Sequence, residues 1–452
     1  MTKRVNTREL ILGILLEIKQ DSNQYSHIVI RDVLEKYQYL EQQDRAFIKR
    51  VSEGTIENSI WLDYVIDQFS KTKTRKMKPV ILSILRMSVY QMFYMDAVPS
   101  SAICNEAVKL AERKNFHNLK GFVNGVLRNI DRSRDQITLP DSKKMPIQYL
   151  SVRYSMPEWI VVRWNEAYGF DITEKMLQSF LDGHRTTIRC NLSRVSPEEL
   201  LQRLQDEHVT VEKLPYPKGS FVISDYDYLG KLKSFQEGLF QVQDVSSMLA
   251  GEIAGVKQGD YIIDVCAAPG GKALNIADRL LGTGHVEARD LTDAKVELIQ
   301  SNIAQCKLHN IEAVRQDALV YDQASDEKAD ILIADLPCSG LGVIGRKGDI
   351  KYHMSEQQQH ELASLQREIL KTVQTYVKPG GTLIYSTCTI NPEENVDNLM
   401  WFADHYSYQL DSIDEYLPEE LRSETTKQGY LQLLPGVHET DGFFMARLVR
   451  KK

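Results

Sequence analysis

The first third of the chain carries apolar residues at the spacing of amphipathic helices. Leu10, Ile14 and Ile18 recur on one helical face, and the same period continues through residues 47–69, 80–95 and 101–114. The polar segment 133–146, "SRDQITLPDSKKMP", contains two prolines and is typical of a linker. The pattern therefore predicts an all-α bundle as the first domain, residues 1–135.

The pattern changes in the middle of the chain. Helical periodicity continues from Pro146 to about Gly183, and then short strand-like runs flank one helix in the order strand, helix, strand, strand. Ser196, with Glu199 three residues later, is a capping signature for that helix. Residues 136–240 are therefore predicted to contain the linker, a helical part and a small α+β subdomain of RRM-like type.

After residue 241, apolar strand-like runs alternate with amphipathic helices. Such alternation predicts a doubly wound α/β domain with a parallel sheet over residues 241–452. The last run, "GFFMARLVR", is predicted to be a late strand at the antiparallel edge of that sheet. The predicted strands are "YIIDV", "HVEAR", "IEAVR", "DILIAD" and "TLIYST".

Composition and charge limit the classes of function. No run of the 452 residues approaches the ~20 apolar residues of a membrane span, and "MTKRVNTREL" has no apolar signal core, so we expect a cytoplasmic protein. None of the six cysteines is spaced as CxxC, which argues against a zinc site and a disulfide framework.

The net charge of −7 is unevenly distributed along the chain. Residues 1–140 carry 22 Lys and Arg against 16 Asp and Glu, and the remainder carries 33 against 46. The basic run "KTKTRKMK" (Lys71 to Lys78) lies in the first part. This division fits a phosphate-binding module joined to an acidic domain of different function.

Polar and reactive residues follow each predicted strand of the last domain. Ligands of doubly wound sheets bind outside the carboxyl ends of the strands, so these residues are expected to meet. A glycine-containing turn and a carboxylate at the end of the second strand suit a nucleoside cofactor. The absence of a GxGxxG fingerprint favours S-adenosylmethionine over a dinucleotide. The residues concerned are Asp264, Cys266, Ala267, Ala268, Pro269, Gly270, Gly271, Lys272, Asp290, Asp317, Asp335, Cys338 and Cys388.

Three motifs carry a resemblance to a known family. "DVCAAPGGK", "ADLPCSGLG" and "YSTCTINPEEN" resemble the Sun family of RNA cytosine-C5 methyltransferases, also called the NOL1/NOP2/Sun or RsmB family. "DRAFIKRVSEGTIENSIWLD", "VPSSAICNEAVKLAERK" and "FVNGVLRNI" resemble the NusB RNA-binding bundle. The resemblance covers nearly the whole chain. It implies a NusB-like domain and a Rossmann-like class I methyltransferase domain, with S-adenosylmethionine as cofactor and a cytosine of 16S ribosomal RNA as substrate.

The resemblance also implies roles for three residues. Cytosine C5 is a poor nucleophile until a thiolate adds to C6, so the reaction needs a reactive cysteine and a group that holds the base. By resemblance Cys388 is the nucleophile, Cys338 assists product release, and Asp335 positions the base. DNA cytosine methyltransferases use the Pro-Cys cysteine instead, and spacing alone does not distinguish the two arrangements.

Other interpretations remain open at this stage. The chain could be an RNA-binding or antitermination-like factor with a vestigial catalytic domain, a methyltransferase for another RNA, or an NAD-linked Rossmann enzyme. The expected partner is small-subunit ribosomal RNA, and we expect a monomer without a metal or a membrane association. Arg346, Lys347 and Lys351 are predicted to contact RNA phosphates, with a solvated loop as the alternative.

Overall fold

The computed structural model describes residues 5–20, 25–183 and 185–452. The first four residues of the predicted N-terminal domain lie outside the described part of the chain. The chain divides into two compact units. The helical unit contains the residues up to Leu181 together with Arg346–Met354, and the sheet unit contains Asp182–Gly345 and Ser355–Lys452. In the described ranges, no helix combines the length and apolar character needed to cross a membrane.

The helical unit is built around amphipathic helices, as predicted. Ile11, Leu12 and Ile14 of its first helix are buried, whereas Leu10 and Ile18 pack at the margin of the same core. Pro79 begins the most buried helix of the unit, a position where its missing N–H has no intrahelical partner to lose. The helices are α1 (Thr7–Gln20), α2 (Ser26–Lys36), α3 (Gln42–Glu57), α4 (Ser59–Phe69), α5 (Pro79–Tyr94), α6 (Ser100–Arg113), α7 (Lys120–Arg132), α8 (Pro146–Arg153), α9 (Glu158–Tyr168) and α10 (Phe170–Ser179).

The segment Arg346–Met354, which comes from the later part of the sequence, packs within the helical unit. Asp349 is buried and accepts the Ser26 backbone N–H at 2.5 Å, and the Tyr352 hydroxyl lies 3.0 Å from the Glu57 carbonyl, to which it donates. Lys351 is only 4% exposed, so its predicted contact with RNA phosphates is wrong. The cause is local packing, because the short helix in this segment turns Lys351 inward while Arg346 and Lys347 remain exposed.

The sheet unit begins with a small antiparallel sheet of strand order β2-β3-β1-β4. The Ser196 side chain accepts the Glu199 backbone N–H and caps the helix that follows β1, as predicted. Strand β4 was not predicted, because three residues are too few for an alternating pattern to be recognised. The elements are β1 (Thr186–Cys190), α11 (Pro197–Asp206), β2 (Thr210–Lys213), β3 (Ser220–Ser224), α12 (Lys233–Gln236) and β4 (Phe240–Val242).

The larger sheet follows the strand order β10-β12-β9-β8-β5-β6-β7, and β11 pairs with β12. Strands β9, β8, β5, β6 and β7 are parallel, which confirms the doubly wound prediction. The prediction that the last strand is the edge is wrong, because β12 lies between β9 and β10. The elements are α13 (Val245–Ile253), β5 (Tyr261–Asp264), α14 (Gly271–Arg279), β6 (His285–Asp290), α15 (Asp293–Cys306), β7 (Ile311–Arg315), β8 (Ala329–Asp335), α16 (Ile350–His353, in the helical unit), α17 (Glu356–Val373), β9 (Val377–Thr387), α18 (Val396–His405), β10 (Tyr408–Leu410), α19 (Glu424–Gln428), β11 (Tyr430–Leu433) and β12 (Phe443–Arg450).

A buried ion pair joins the small sheet to the larger one. Arg189 of β1 lies 3.1 Å from Asp278 of α14, and both side chains are almost completely buried. Gln243 accepts a hydrogen bond from Arg189 and donates one to the Gly271 carbonyl at the start of α14. The small sheet therefore helps to fix the loop before α14, where the predicted cofactor residues lie.

Candidate active site

The parallel register brings the predicted residues to one edge of the larger sheet. Asp264 is paired with Ala288 of β6 and Ile333 of β8, and Asp335 is paired with Ser386 of β9. The carboxyl ends of parallel strands lie on the same side of a sheet. The residues that follow β5, β6, β8 and β9 therefore surround a common site.

The loop from Cys266 to Lys272 turns sharply between β5 and α14. Gly270 has φ +105°, a left-handed conformation that a residue with a Cβ adopts only with strain, and it precedes α14 directly. The loop amides thus approach the strand ends closely and begin a helix, an arrangement that suits an anionic or polar ligand group.

Asp290 holds this loop from the neighbouring strand. Its carboxylate accepts the Ala268 backbone N–H at 2.9 Å and the Leu291 N–H at 2.8 Å, and Lys295 lies 2.9 Å away. A carboxylate has about four acceptor sites, so these three donors leave room for one further hydrogen bond, such as one from a ribose hydroxyl.

Asp264 is buried at the end of β5. Neither of its carboxylate oxygens has a hydrogen-bond partner among the described residues. Burial, followed by the nearby Asp335 carboxylate, raises the pKa of Asp264 to about 8. Two acidic groups therefore face a single lysine, Lys272, in this part of the site.

Lys272 and Asp335 form the central ion pair. The Lys272 ammonium lies 2.7 Å from Asp335, and the Ser386 hydroxyl donates to the other Asp335 oxygen at 2.8 Å. The ammonium also lies 4.8 Å from the centre of the Phe443 ring. Burial opposes the charge on Lys272, but the hydrogen-bonded Asp335 carboxylate outweighs burial and raises the pKa of Lys272.

The two predicted thiols are adjacent. The sulfur atoms of Cys338 and Cys388 lie 3.3 Å apart, within the range of a hydrogen bond between a thiol and a thiolate. The hydrogen bond to Cys388, then burial, and the nearby Glu394 carboxylate raise the pKa of Cys338 well above its ordinary value. These contacts favour a protonated Cys338 beside Cys388.

Two predicted residues lie at the margin of this arrangement. Asp317 follows β7 and accepts the Leu319 backbone N–H at 2.9 Å, and its described contacts do not join it to the other site residues. Cys266 lies at the start of the loop, where burial, followed by Asp264, raises the pKa of its thiol. Cys266 therefore remains a protonated packing residue.

The donor set fits a cationic nucleoside cofactor. S-adenosylmethionine carries a sulfonium and an ammonium group, and the carboxylates of Asp290 and Asp335 at the strand ends complement positive charge. The loop Cys266–Lys272, Asp290 and Asp335 are the residues that would hold it, and the contribution of Asp317 stays a prediction.

Sequence reasoning assigned no role to the residues behind the thiols. Ser339, Thr389, Asn391 and Glu394 are buried and hydrogen-bonded to one another. All four lie inside the quoted motifs "PCSG" and "TCTINPEEN", so their motif position was the only signal available.

A Rossmann-like sheet with acidic strand ends and a glycine-containing turn, without the GxGxxG fingerprint of dinucleotide enzymes, is typical of S-adenosylmethionine-dependent methyltransferases. Residues 253–449 match the family model described as 16S rRNA methyltransferase RsmB/F. Residues 5–132 match the NusB family, and residues 156–225 match the ferredoxin-like domain of RsmF/B-like methyltransferases.

Curated relatives match over almost the whole chain. The probable ribosomal RNA small subunit methyltransferase B of Bacillus subtilis (strain 168) is 35% identical, over 99% of this chain and 100% of the relative. The protein of the same description from Synechocystis sp. is 30% identical, over 98% of this chain and 99% of the relative. The chain therefore belongs to the RsmB/F family of 16S rRNA methyltransferases.

Solved structures confirm the fold. The structure described as "Crystal Structure of PH0851" is 23% identical, with a TM-score of 0.80 and coverage of 100% of both chains. The structure of NSun6 from Pyrococcus horikoshii with SFG, an analogue of S-adenosylmethionine, is 20% identical, with a TM-score of 0.56 and coverage of 64% of this chain and 97% of that one. The cofactor of the family is S-adenosylmethionine.

Proposed function

We propose that the chain transfers a methyl group from S-adenosylmethionine to C5 of a cytosine in 16S ribosomal RNA, through a covalent bond between Cys388 and cytosine C6. The observation that carries the proposal is the 3.3 Å separation of the Cys338 and Cys388 sulfur atoms beside the Lys272–Asp335 pair. A methyltransferase acting on an oxygen or an exocyclic nitrogen has no need for two thiols at this position.

The thiols divide the covalent chemistry between them. The Cys388 thiolate forms a bond to C6, and the electron pair displaced from the C5–C6 double bond makes C5 nucleophilic. The bound cofactor supplies an electrophilic methyl group to C5. A water molecule takes the C5 proton, the C5–H electron pair re-forms the C5–C6 double bond, and the C6–sulfur bond breaks. Cys388 leaves as a thiolate, and the protonated Cys338 assists by donating a hydrogen bond to the departing sulfur.

Asp335 and Lys272 hold the base and balance its charge. The Asp335 carboxylate accepts a hydrogen bond from the exocyclic amine on the base-pairing edge of the cytosine, which positions C6 for attack by the thiolate. Contact with that edge requires an unpaired or flipped base. Lys272 and Ser386 fix the orientation of Asp335, so that no reorganisation is needed when the base enters.

The substrate is assigned from the helical unit and from the descriptions of the curated relatives. The helical unit contains the match to the NusB family and the basic run Lys71 to Lys78. The curated relatives are described as ribosomal RNA small subunit methyltransferases. We therefore assign 16S ribosomal RNA as the substrate and the cytoplasm as the location, with the helical unit providing much of the affinity for RNA.

The experiment is a methyl-transfer assay with the purified full-length chain. Radiolabelled S-adenosylmethionine, 16S ribosomal RNA from a strain that lacks the gene, and partly assembled small subunits are the reagents. We expect incorporation at a single cytosine, which bisulfite sequencing locates as 5-methylcytosine. Incorporation into transfer RNA alone would overturn the substrate, and incorporation at N4 or at a 2′-hydroxyl would overturn the chemistry. Tight RNA binding without any methyl transfer would instead indicate a vestigial catalytic domain.

A further inference from the structure

The buried carboxylate of Glu394 connects the two loops that carry the cysteines. Glu394 has no exposed surface. One of its oxygens accepts the backbone N–H of Ser339 at 2.7 Å, and the other accepts the Ser339 hydroxyl at 2.7 Å. Since Ser339 directly follows Cys338, these two bonds fix the backbone at the Pro-Cys cysteine.

The same carboxylate is bound by the second cysteine loop. Asn391 donates its amide N–H to Glu394 at 2.8 Å and to the Ser339 hydroxyl at 3.1 Å. The hydroxyl of Thr389, which directly follows Cys388, lies 2.8 Å from the hydroxyl of Ser339. A single buried network therefore joins the residue after Cys338 to the residue after Cys388.

Surrounding elements hold this network in place. Tyr385 of β9 donates its hydroxyl to the Glu394 carbonyl, and Gln366 of α17 donates to the Pro337 carbonyl at 2.9 Å. Tyr385 and Gln366 are themselves buried and hydrogen-bonded to each other. Satisfied buried networks of this kind fix one geometry, because each lost partner leaves an unpaired polar group.

The network also places charge unevenly around the two thiols. Glu394 contributes to raising the pKa of Cys338, after the hydrogen bond to Cys388 and burial, and the buried Tyr385 is a further titratable group near Cys338. Cys388 instead acts on Lys272, whose ammonium is stabilised partly by that thiol.

We propose that Glu394 is a positioning residue that fixes the distance between the two thiols and keeps the proton on Cys338, so that Cys388 carries the thiolate. The inference deepens the proposed function and rests on it. It gives a physical reason for the division of roles between the cysteines, which sequence spacing leaves open. Glu394 acts through Ser339 and the thiols and is not expected to contact the substrate.

The test compares Glu394→Gln with the matched control Glu393→Gln in the full-length protein. Glu393 is the preceding residue, is partly exposed and pairs with His360 instead of the cysteine loops. Alkylation of each thiol by iodoacetamide is followed from pH 6 to pH 10 by mass spectrometry of the Cys338 and Cys388 peptides, without RNA or cofactor. This readout does not depend on whether the protein methylates any RNA.

In the wild type we expect Cys388 to be alkylated at lower pH than Cys338. In Glu394→Gln the midpoint for Cys338 should fall by about one pH unit, as expected for removal of a nearby like charge, whereas Glu393→Gln should leave both midpoints unchanged. The turnover number should fall about 10- to 100-fold in Glu394→Gln, with the dissociation constant for S-adenosylmethionine within twofold of the wild type. An unchanged Cys338 midpoint in folded Glu394→Gln would overturn the inference.

A second variant, Ser339→Ala, distinguishes the positioning effect of Glu394 from the effect of its charge. It also keeps the inference testable if Glu394→Gln does not fold. Ser339→Ala removes one donor to Glu394 but retains the buried charge, so the Cys338 midpoint should remain and turnover should fall several-fold. Wild-type turnover in Ser339→Ala would overturn the positioning role. Failure of the proposed function has a different signature, namely methyl transfer that persists when Cys388 is replaced.

Discussion

The helical unit and the sheet unit both bury titratable groups, but the surroundings of these groups differ. In the helical unit, Glu53 and Glu57 are partly enclosed near Asp349, and burial raises the pKa of Glu53 to about 7. The cysteine of this unit, Cys104, is buried and burial raises its pKa. In the sheet unit, Asp264, Lys272 and Asp335 converge at the strand ends beside two partly exposed thiols.

The difference shows that perturbed acidity alone does not indicate a catalytic site. Glu53 and Asp264 both have a raised pKa, yet only Asp264 lies where a doubly wound sheet binds its ligands. We propose that the chemistry is confined to the acidic sheet unit and that the more basic N-terminal part contributes RNA affinity. Each of the following changes should then affect one unit only.

The largest effect is expected for Lys272→Gln. This change leaves the Asp335 carboxylate without its partner at 2.7 Å and removes the positive charge that Cys388 faces. We expect the turnover number to fall by about 10²- to 10³-fold, in the range for loss of one catalytic interaction. Affinity for RNA, measured by filter binding, should stay within twofold. A turnover number near that of the wild type would show that the ion pair has no catalytic role.

Asp290→Ala should weaken the cofactor site specifically. The carboxylate accepts the N–H groups of Ala268 and Leu291, so its removal leaves partly buried donors without this partner and frees the loop. The expected loss is about 1–3 kcal/mol in S-adenosylmethionine binding, measured by calorimetry. Asp293→Ala, at an exposed ion pair with Arg315, is the control and should bind normally. Equal affinity in both variants would remove Asp290 from the site.

Asp264→Asn should change how stability depends on pH. A carboxyl group whose pKa is raised in the folded state, here from 3.8 to about 8, stabilises the fold fully at low pH, and this contribution is lost as the pH rises through about 8. The amide does not ionise, so the unfolding free energy of Asp264→Asn relative to the wild type should increase by up to about 4 kcal/mol between pH 5 and pH 9, at ~1.4 kcal/mol for each pH unit below the folded pKa. Denaturant titrations at the two pH values measure this difference, and a constant difference would contradict it.

The smallest effect is expected for the basic run of the helical unit. Replacing Lys71, Lys73 and Lys76 together by Gln should weaken RNA binding about three- to tenfold. It should also make the log–log salt dependence shallower by about 2, because fewer counterions are released. Replacing the exposed Lys213, Lys218 and Lys257 of the sheet unit is the matched control. Equal salt slopes in the two triple variants would contradict the division of labour between the units.

Periodicity and motifs predict much of this molecule, because they report local properties. The alternation of strands and helices predicts the parallel part of the larger sheet. Because ligands bind at the carboxyl ends of parallel strands, the sequence also predicts that Asp264, Asp290 and Asp335 lie close together. Strand β10 was missed because three residues give too short a pattern, and β11 was missed although β2 and β5, of the same four-residue length, were predicted. The position of β12 depends on strand order, which the local pattern does not contain.

Non-local packing accounts for the other errors and omissions. The sequence predicts that Lys351 is a surface cation, but the segment around it packs within the helical unit and buries it. In the sequence, Glu394 is one of two adjacent acidic residues with no evident role. Its hydrogen bond with Ser339, 55 residues earlier in the chain, forms only in the folded structure. Hydrogen bonds between distant loops leave no periodic trace in the sequence.

The measurement that tests the central claim most directly is covalent trapping of RNA by the two cysteine variants. Cys388→Ala and Cys338→Ala are each incubated with 16S ribosomal RNA, with and without S-adenosylmethionine, and analysed on denaturing gels. Cys338→Ala should accumulate a protein–RNA species that requires the cofactor, because the adduct forms but is released slowly, and Cys388→Ala should form none. Trapping by Cys388→Ala instead would make Cys338 the nucleophile, and full activity of both variants without trapping would contradict the covalent mechanism.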